Sequence, residues 1–232
     1  MSNPNTGAVF PLAKQLGLVA PLLALTILVS APVIAADEGA PKWKVWSYNP
    51  SNRALRGNVP AGTSPGVATF PFPATPDVAL LVTDHGSYKG SLLGDLTGKT
   101  VSATVSAAGG PFTYYGQGTP QNPCGPPANV RLFFQTKSSG SFAETDYWWS
   151  NPVSLPLASI PSATPMSASL TGANWSDYNG HFGNDPQFAA AFADAVQNVT
   201  SIGLSFGGGC FFENGVGAPN GGSFILWKFT AN

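Results

Sequence analysis

The chain has 232 residues, 9% of them charged, with 27 Gly, 22 Pro and a net charge of −1. So little charge among so many turn residues argues against a helical bundle and against a solvated disordered chain. The ten Lys and Arg residues are scattered and leave no basic stripe of the kind a nucleic-acid binder carries. The length allows one large all-β domain.

The first 36 residues read as an export signal. A polar leader carrying only Lys14 precedes Leu16–Ala36, an apolar stretch free of charge. Small or β-branched residues, Val33 to Ala36, stand just before Asp37 where a signal peptidase would cut. A retained membrane anchor is the other reading of about 20 apolar residues, but Pro21, Pro32 and Ser30 favour cleavage. Residues 37–232 would then be a single exported domain, secreted or held at the cell surface, with no membrane segment of its own. The two cysteines, Cys124 and Cys210, both lie in it. An oxidising compartment would join them, and the absence of CxxC or clustered Cys/His spacing argues against zinc.

Beyond Ala36, short β-prone runs recur with Gly, Pro, Asn or Ser in nearly every gap. They cover residues 43–48, 67–72, 78–83, 99–107, 112–115, 129–136, 142–150, 153–157, 166–170, 202–206 and 223–230, with a Pro- and Gly-rich loop over 49–66. The pattern predicts an all-β fold, a two-sheet antiparallel jelly-roll sandwich. One short helix is marked over about 186–197. Asp185 is placed to cap it and Pro186 to open it, with Phe188, Phe192, Val196 and Val199 on one face.

The segment 129–150 predicts a hairpin. Val130, Leu132 and Phe134 share one face, with Arg131, Phe133 and Gln135 on the other. A four-residue turn at 138–141 would pair Arg131 with Trp148, Phe133 with Asp146 and Gln135 with Glu144, and put Tyr147 and Trp149 on the core face. The solvent face would then mix Arg131, Glu144, Asp146 and Trp148.

Three stretches in order carry a resemblance: Leu92–Val101 with its Leu-Gly-Asp turn, Asn129–Phe134, and the helix running into Asn198-Val199-Thr200 and the strand after it. Their succession resembles the laminin domain IV (laminin B) type of jelly roll and similar secreted bacterial modules. Asn-Val-Thr stands where that pattern has Asn-Leu-Thr, and Gly207-Gly208-Gly209-Cys210 is foreign to it. The resemblance implies a binding or structural module without catalytic residues; fold analogy names no ligand.

The remaining constellations point weakly to chemistry. Glu144 and Asp146 would share a strand face, but the third acid of a laminarinase-type Glu-x-Asp motif is Trp at either spacing, so the acid/base is missing. Gly62-Thr63-Ser64-Pro65-Gly66 matches a serine-hydrolase elbow by letter only, because Pro65 has no N–H for an oxyanion. His85 and His181 are too few and isolated for a metal centre. Asp177, Asn179 and Asp185 hint at a calcium loop but depart from the EF-hand spacing, and read equally as an Asn-Gly turn before a helix cap. No cofactor other than calcium is suggested. Trp148, Trp175 and Tyr178, flanked by acids and amides, suit stacking and hydrogen bonding to sugars. The sequons at Asn174 and Asn198 matter only in a eukaryotic secretory pathway.

The first reading is therefore a non-catalytic exported module that binds a polysaccharide or extracellular matrix glycan. Arg131, Glu144, Asp146, Trp148, Trp175 and Tyr178 are its candidate contacts. A secreted polysaccharide hydrolase or lyase and a purely structural surface protein are the alternatives.

Overall fold

The computed structural model describes residues 42–49, 51–119, 124–137, 139–210 and 213–232; the proposed export segment lies outside them. Period-2 alternation and dense turn residues produce many short strands rather than a few long ones. In the first half these are β1 (Lys44–Tyr48), β2 (Leu55–Pro60), β3 (Ala68–Pro71), β4 (Val78–Thr83), β5 (Thr100–Gly109) and β6 (Thr113–Tyr114). They are followed by β7 (Asn129–Gln135), β8 (Tyr147–Ser150), β9 (Leu155–Pro156), β10 (Thr164–Ser169) and β11 (Trp175–Ser176). The last are β12 (Ser201–Gly207), β13 (Val216–Gly217) and β14 (Gly222–Ala231).

Two antiparallel sheets result. The larger runs β11-β8-β7-β12-β4-β1-β2, with β6, β9 and β13 attached at its side; the smaller runs β10-β5-β14-β3. The fold is thus an all-β sandwich. Between the sheets, Val130, Leu132 and Phe134 of β7 and Ile202, Leu204 and Phe206 of β12 face Val101, Ala103 and Val105 of β5 and Phe224 and Leu226 of β14. Phe70, Phe72, Phe206 and Phe224 pack ring on ring at centroid distances of 5.0–6.3 Å, a geometry that adds to the area they bury. No helix among the described residues is long and apolar enough to cross a membrane.

The helix α1 (Ala189–Gln197) begins three residues after the predicted start. Pro186 to Phe188 form a turn, and the Asp185 carboxylate turns back to accept from the Phe182 N–H (2.9 Å) instead of capping the helix. Its apolar stripe does what the spacing implied, with Phe192, Ala195 and Val196 buried. Strand β2 arises inside the stretch read as a loop: its Asn, Gly and Pro residues are weak strand formers, and edge pairing to β1 overrides that propensity.

The hairpin differs from expectation in register and therefore in face. Strand β8 starts at Tyr147, and Phe133 pairs with Trp149, Phe134 with Trp148 and Gln135 with Tyr147. The shift is odd-numbered, so it inverts which side chains reach the core. Trp148 is fully buried between the sheets, its ring edge-on to Phe192 at 4.9 Å. Trp149 and Tyr147 lie on the outer face. The cause is a 3-10 turn at Glu144–Asp146. There the Asp146 carboxylate accepts from Ala143 N–H (2.7 Å), Lys137 Nζ (2.8 Å) and the Thr136 hydroxyl (3.0 Å), closing the loop between β7 and β8 three residues away from the assumed pairing.

The disulfide is formed as expected. Cys124 and Cys210 have their Cα atoms 4.8 Å apart, which links the chain ahead of β7 to the segment after β12. The glycines before Cys210 are required by close approach: a Cβ on Gly208 would lie 2.7 Å from the Tyr114 ring, and one on Gly209 2.6 Å from the Gly125 carbonyl.

Candidate functional site

One face of a two-layer sandwich normally meets water and is polar. The outer face of the larger sheet is not. A second apolar cluster, separate from the inter-sheet core, gathers Leu80 and Val82 of β4, Phe133 of β7 and Trp149 of β8, with Trp46, Tyr48 and Tyr147 packed against it. Strand β12 runs through the middle of this face and presents only Ser201, Gly203 and Ser205 there, its large residues pointing to the core. Gly203 cannot carry a side chain, since a Cβ would come within 2.1 Å of the Leu81 carbonyl. Rings on β1 and β8 thus stand on either side of a strand of small residues. That contrast in side-chain size leaves a hollow of about 440 Å³.

Trp46, Tyr48, Tyr147, Trp149 and Tyr178 line the hollow, and Gln135, Ser201, Asp84 and Glu213 supply its polar groups. Its volume is in the range of small-ligand sites. Phe142 stacks on Tyr147 at 4.8 Å, and the Tyr178 ring stands 6.3 Å from Trp149 at the mouth, with Tyr178 52% exposed.

Glu213 is the acid of the site. The segment that carries it is pinned at both ends: Gly208 N–H donates to Asn214 Oδ1 (2.7 Å), Arg53 Nη2 donates to the Asn214 carbonyl (2.8 Å), and Cys210 is held by the disulfide. The residue is partly exposed, but its Oε2 is shut off from solvent and has no hydrogen-bond partner among the described residues; Oε1 accepts a long bond from the Tyr48 hydroxyl (3.3 Å). Burial pushes the Glu213 pKa up to about 7 against the lowering influence of its own backbone, Tyr48 and the nearby Trp149 indole. The Trp149 N–H comes near enough to act on the acid without forming a hydrogen bond, and it too is enclosed and has no partner among the described residues. Burial also raises the Tyr48 and Tyr147 hydroxyls, with the Glu213 charge adding to it.

Of the contacts read from the sequence, only Tyr178 lies at this hollow. Trp148 is core, which overturns its role as an exposed platform. Trp175 is likewise fully buried, donating from Nε1 to the Ser169 carbonyl (2.9 Å) and lying 5.0 Å from Phe134. Asp146 serves the loop described above. Burial works to raise its pKa, but the hydrogen bonds from Lys137, Ala143 and Thr136 outweigh that and hold it below the ordinary carboxylate range. Glu144 stands on the 3-10 turn rather than on a strand face beside Asp146, and accepts a hydrogen bond from the Asn179 amide.

Arg131, expected on an open face, is 7% exposed. Its guanidinium donates to the carbonyls of Cys210 (3.1 Å), Ser150 (3.1 Å) and Gly209 (3.3 Å), tying the disulfide segment to β8. Burial pushes its pKa down to about 10. Arg131→Met would keep the stem and leave these carbonyls without a donor, so its urea-unfolding free energy should fall by about 2–3 kcal/mol. A change under about 0.5 kcal/mol would mean that water replaces the guanidinium.

The calcium candidates are engaged in local structure. Asp177 is fully buried; its Oδ1 accepts from the Asn179 and His181 N–H groups (both 2.9 Å), and its Oδ2 faces His181 Nδ1 at 3.1 Å. Asp185 is spent on Phe182. Glu144, Asp177 and His181 do bring ligand-type atoms within 4.8 Å of one another, but Asp177 and Glu144 are satisfied by the turn itself.

The hollow escapes sequence reading because it depends on which face Trp149 takes and on where Glu213 is pinned. The available signal is β12, whose Ser-Ile-Gly-Leu-Ser-Phe pattern alternates large with very small residues. No family model, characterised protein or solved structure compared with the chain matches it.

Proposed function

We propose that the chain is an exported module, of jelly-roll connectivity, that binds a glycan in the aromatic hollow of its larger sheet without cleaving it. The observation that carries this reading is the ring-rich cavity itself, beneath whose wall Trp149 Nε1 and Glu213 Oε2 lie enclosed with no hydrogen-bond partner among the described residues. Buried polar groups in folded proteins are nearly always satisfied, and an exception points to a missing partner. Sugars present apolar C–H faces for the rings and hydroxyls that both accept and donate. Export is supported by the disulfide and by the apolar leader. Binding is favoured over hydrolysis because the other carboxylate at the hollow, Asp84, is held in an ion pair by Lys44 Nζ (2.8 Å).

Isothermal titration against a panel of soluble oligosaccharides tests the reading. Tyr178→Ala removes an exposed ring at the mouth, so affinity should fall about fivefold or more while the urea midpoint stays put. Unchanged affinity in that variant and in Tyr147→Ala would place the site elsewhere. A raised acid in a cleft is also what a general acid requires, so the hydrolase reading has Glu213 in its favour. Reducing ends released from the same panel would decide for it.

A further inference from the structure

Resting on the glycan reading, the geometry points to a ligand that carries a free amino group: we propose that the hollow binds an amino sugar, its ammonium seated between the Glu213 carboxylate and the rings around it.

An enclosed carboxyl must either hold its proton or acquire a cation, because an unpaired buried charge is costly. Among the described residues, the cations around the hollow are engaged elsewhere. Lys44 is paired with Asp84 at 2.8 Å, and Lys137 with Asp146 at 2.8 Å. Arg53 is paired with Asp77 at 3.0 Å, donates to the Asn214 carbonyl, and lies over the rings of Tyr48 and Tyr115 at 4.5 and 3.7 Å. Among the described residues, these cations are thus paired with other acids, and none of these ion pairs reaches Glu213.

The walls have the same preference. The faces of tryptophan and tyrosine rings are negative and attract a cation at close range, most strongly where water is excluded. Trp46, Tyr48, Tyr147 and Trp149 line the cavity that encloses the acid. Two features complementary to a positive charge, a carboxyl with no counter-ion among the described residues and a lining rich in tryptophan and tyrosine, converge on one volume. A neutral sugar hydroxyl could bond to Glu213 but would leave the carboxylate charge uncompensated. An ammonium beside the carboxylate compensates it.

The proton balance follows. Glu213, with its pKa raised to about 7 by burial, is about half protonated near neutral pH in the free protein. A bound ammonium favours its ionised form, so binding an amine that already carries its proton releases the share that Glu213 still holds, about half a proton at neutral pH, to the buffer. Other ionisable groups also face the acid. The Tyr48 and Tyr147 hydroxyls are pushed up and stay neutral, Tyr178 is a phenol at the mouth, and Asp84 and Arg53 are held in their ion pairs.

The experiment is calorimetric titration of the intact exported domain, at a pH slightly below neutral where the sugar amine carries its proton, with three oligomers of equal length: of glucosamine, of N-acetylglucosamine and of glucose. The glucosamine oligomer should bind about tenfold or more tightly than either other, with an observed enthalpy that changes with buffer ionisation enthalpy in the sense of proton release. Glu213→Gln should abolish both the preference and the proton release; the ligand comparison on the parent protein stands even if that variant folds poorly. Equal or tighter binding of the acetylated or glucose oligomer overturns the ammonium site and leaves the glycan reading intact. Failure of all three and of the wider panel overturns the glycan reading itself.

Discussion

Trp148→Ala is expected to lower the unfolding free energy by about 3–5 kcal/mol, the range for removing a large aromatic side chain from a packed core. The ring is fully buried between the sheets, edge-on to Phe192 of α1, and its Nε1 donates to the Thr145 carbonyl at 2.9 Å. Truncation would therefore open a cavity beneath the helix and strip a side-chain donor from that carbonyl at the 3-10 turn. The turn sets the register of β8, so the damage should spread to Trp149 on the other face, and glycan affinity should fall together with stability. Trp148→Phe, which keeps part of the ring but not the N–H, should lose less. Urea unfolding followed by far-UV circular dichroism measures both. A Trp148→Ala protein as stable as its parent would show that the ring is not in the core at all.

The same strand explains how far sequence could lead. The faces of β7 are legible because Val130, Leu132 and Phe134 alternate with residues that include Arg131 and Gln135, and those three do face the inter-sheet core, although Arg131 and Phe133 on the other face are buried too. The helix stripe is legible for the same reason, and the cysteine pairing because only two cysteines exist. The face of β8 is not legible. Tyr147, Trp148, Trp149 and Ser150 put a large ring on both sides of the strand, so hydrophobicity stops distinguishing core from exterior. The alternation rule assumes a polar outer face, and here the outer face is itself apolar. Register then falls to the turn, where three hydrogen bonds to Asp146 outweigh the simpler four-residue loop. Glu213 is harder still, because its surroundings come from β1, β8 and the disulfide segment together, and no local pattern in the chain brings those into view.

Removing the disulfide is the second large effect. The bridge closes a sequence separation of 86 residues, and in the chain-entropy model such a loop stabilises the folded state by about 4–5 kcal/mol through the unfolded ensemble. That is a large share of the roughly 5–15 kcal/mol by which a domain is stable. A Cys124→Ser, Cys210→Ser double variant should therefore unfold at a markedly lower urea concentration, whereas dithiothreitol should produce the same shift in the parent and none in the variant. Thiol titration of the unfolded, unreduced parent should find no free thiol. The bridge also has a local consequence, since Cys210 lies three residues before Glu213, and its carbonyl and that of Gly209 are held by Arg131. Loss of the covalent tie should release this segment from one side, leaving Asn214 and Arg53 to hold it from the other. At a urea-free temperature where the double variant is still folded, glycan affinity should drop beyond what its unfolded fraction accounts for. If affinity per folded molecule is unchanged, the disulfide acts on the unfolded chain alone and Glu213 is positioned by the Asn214 and Arg53 contacts without it.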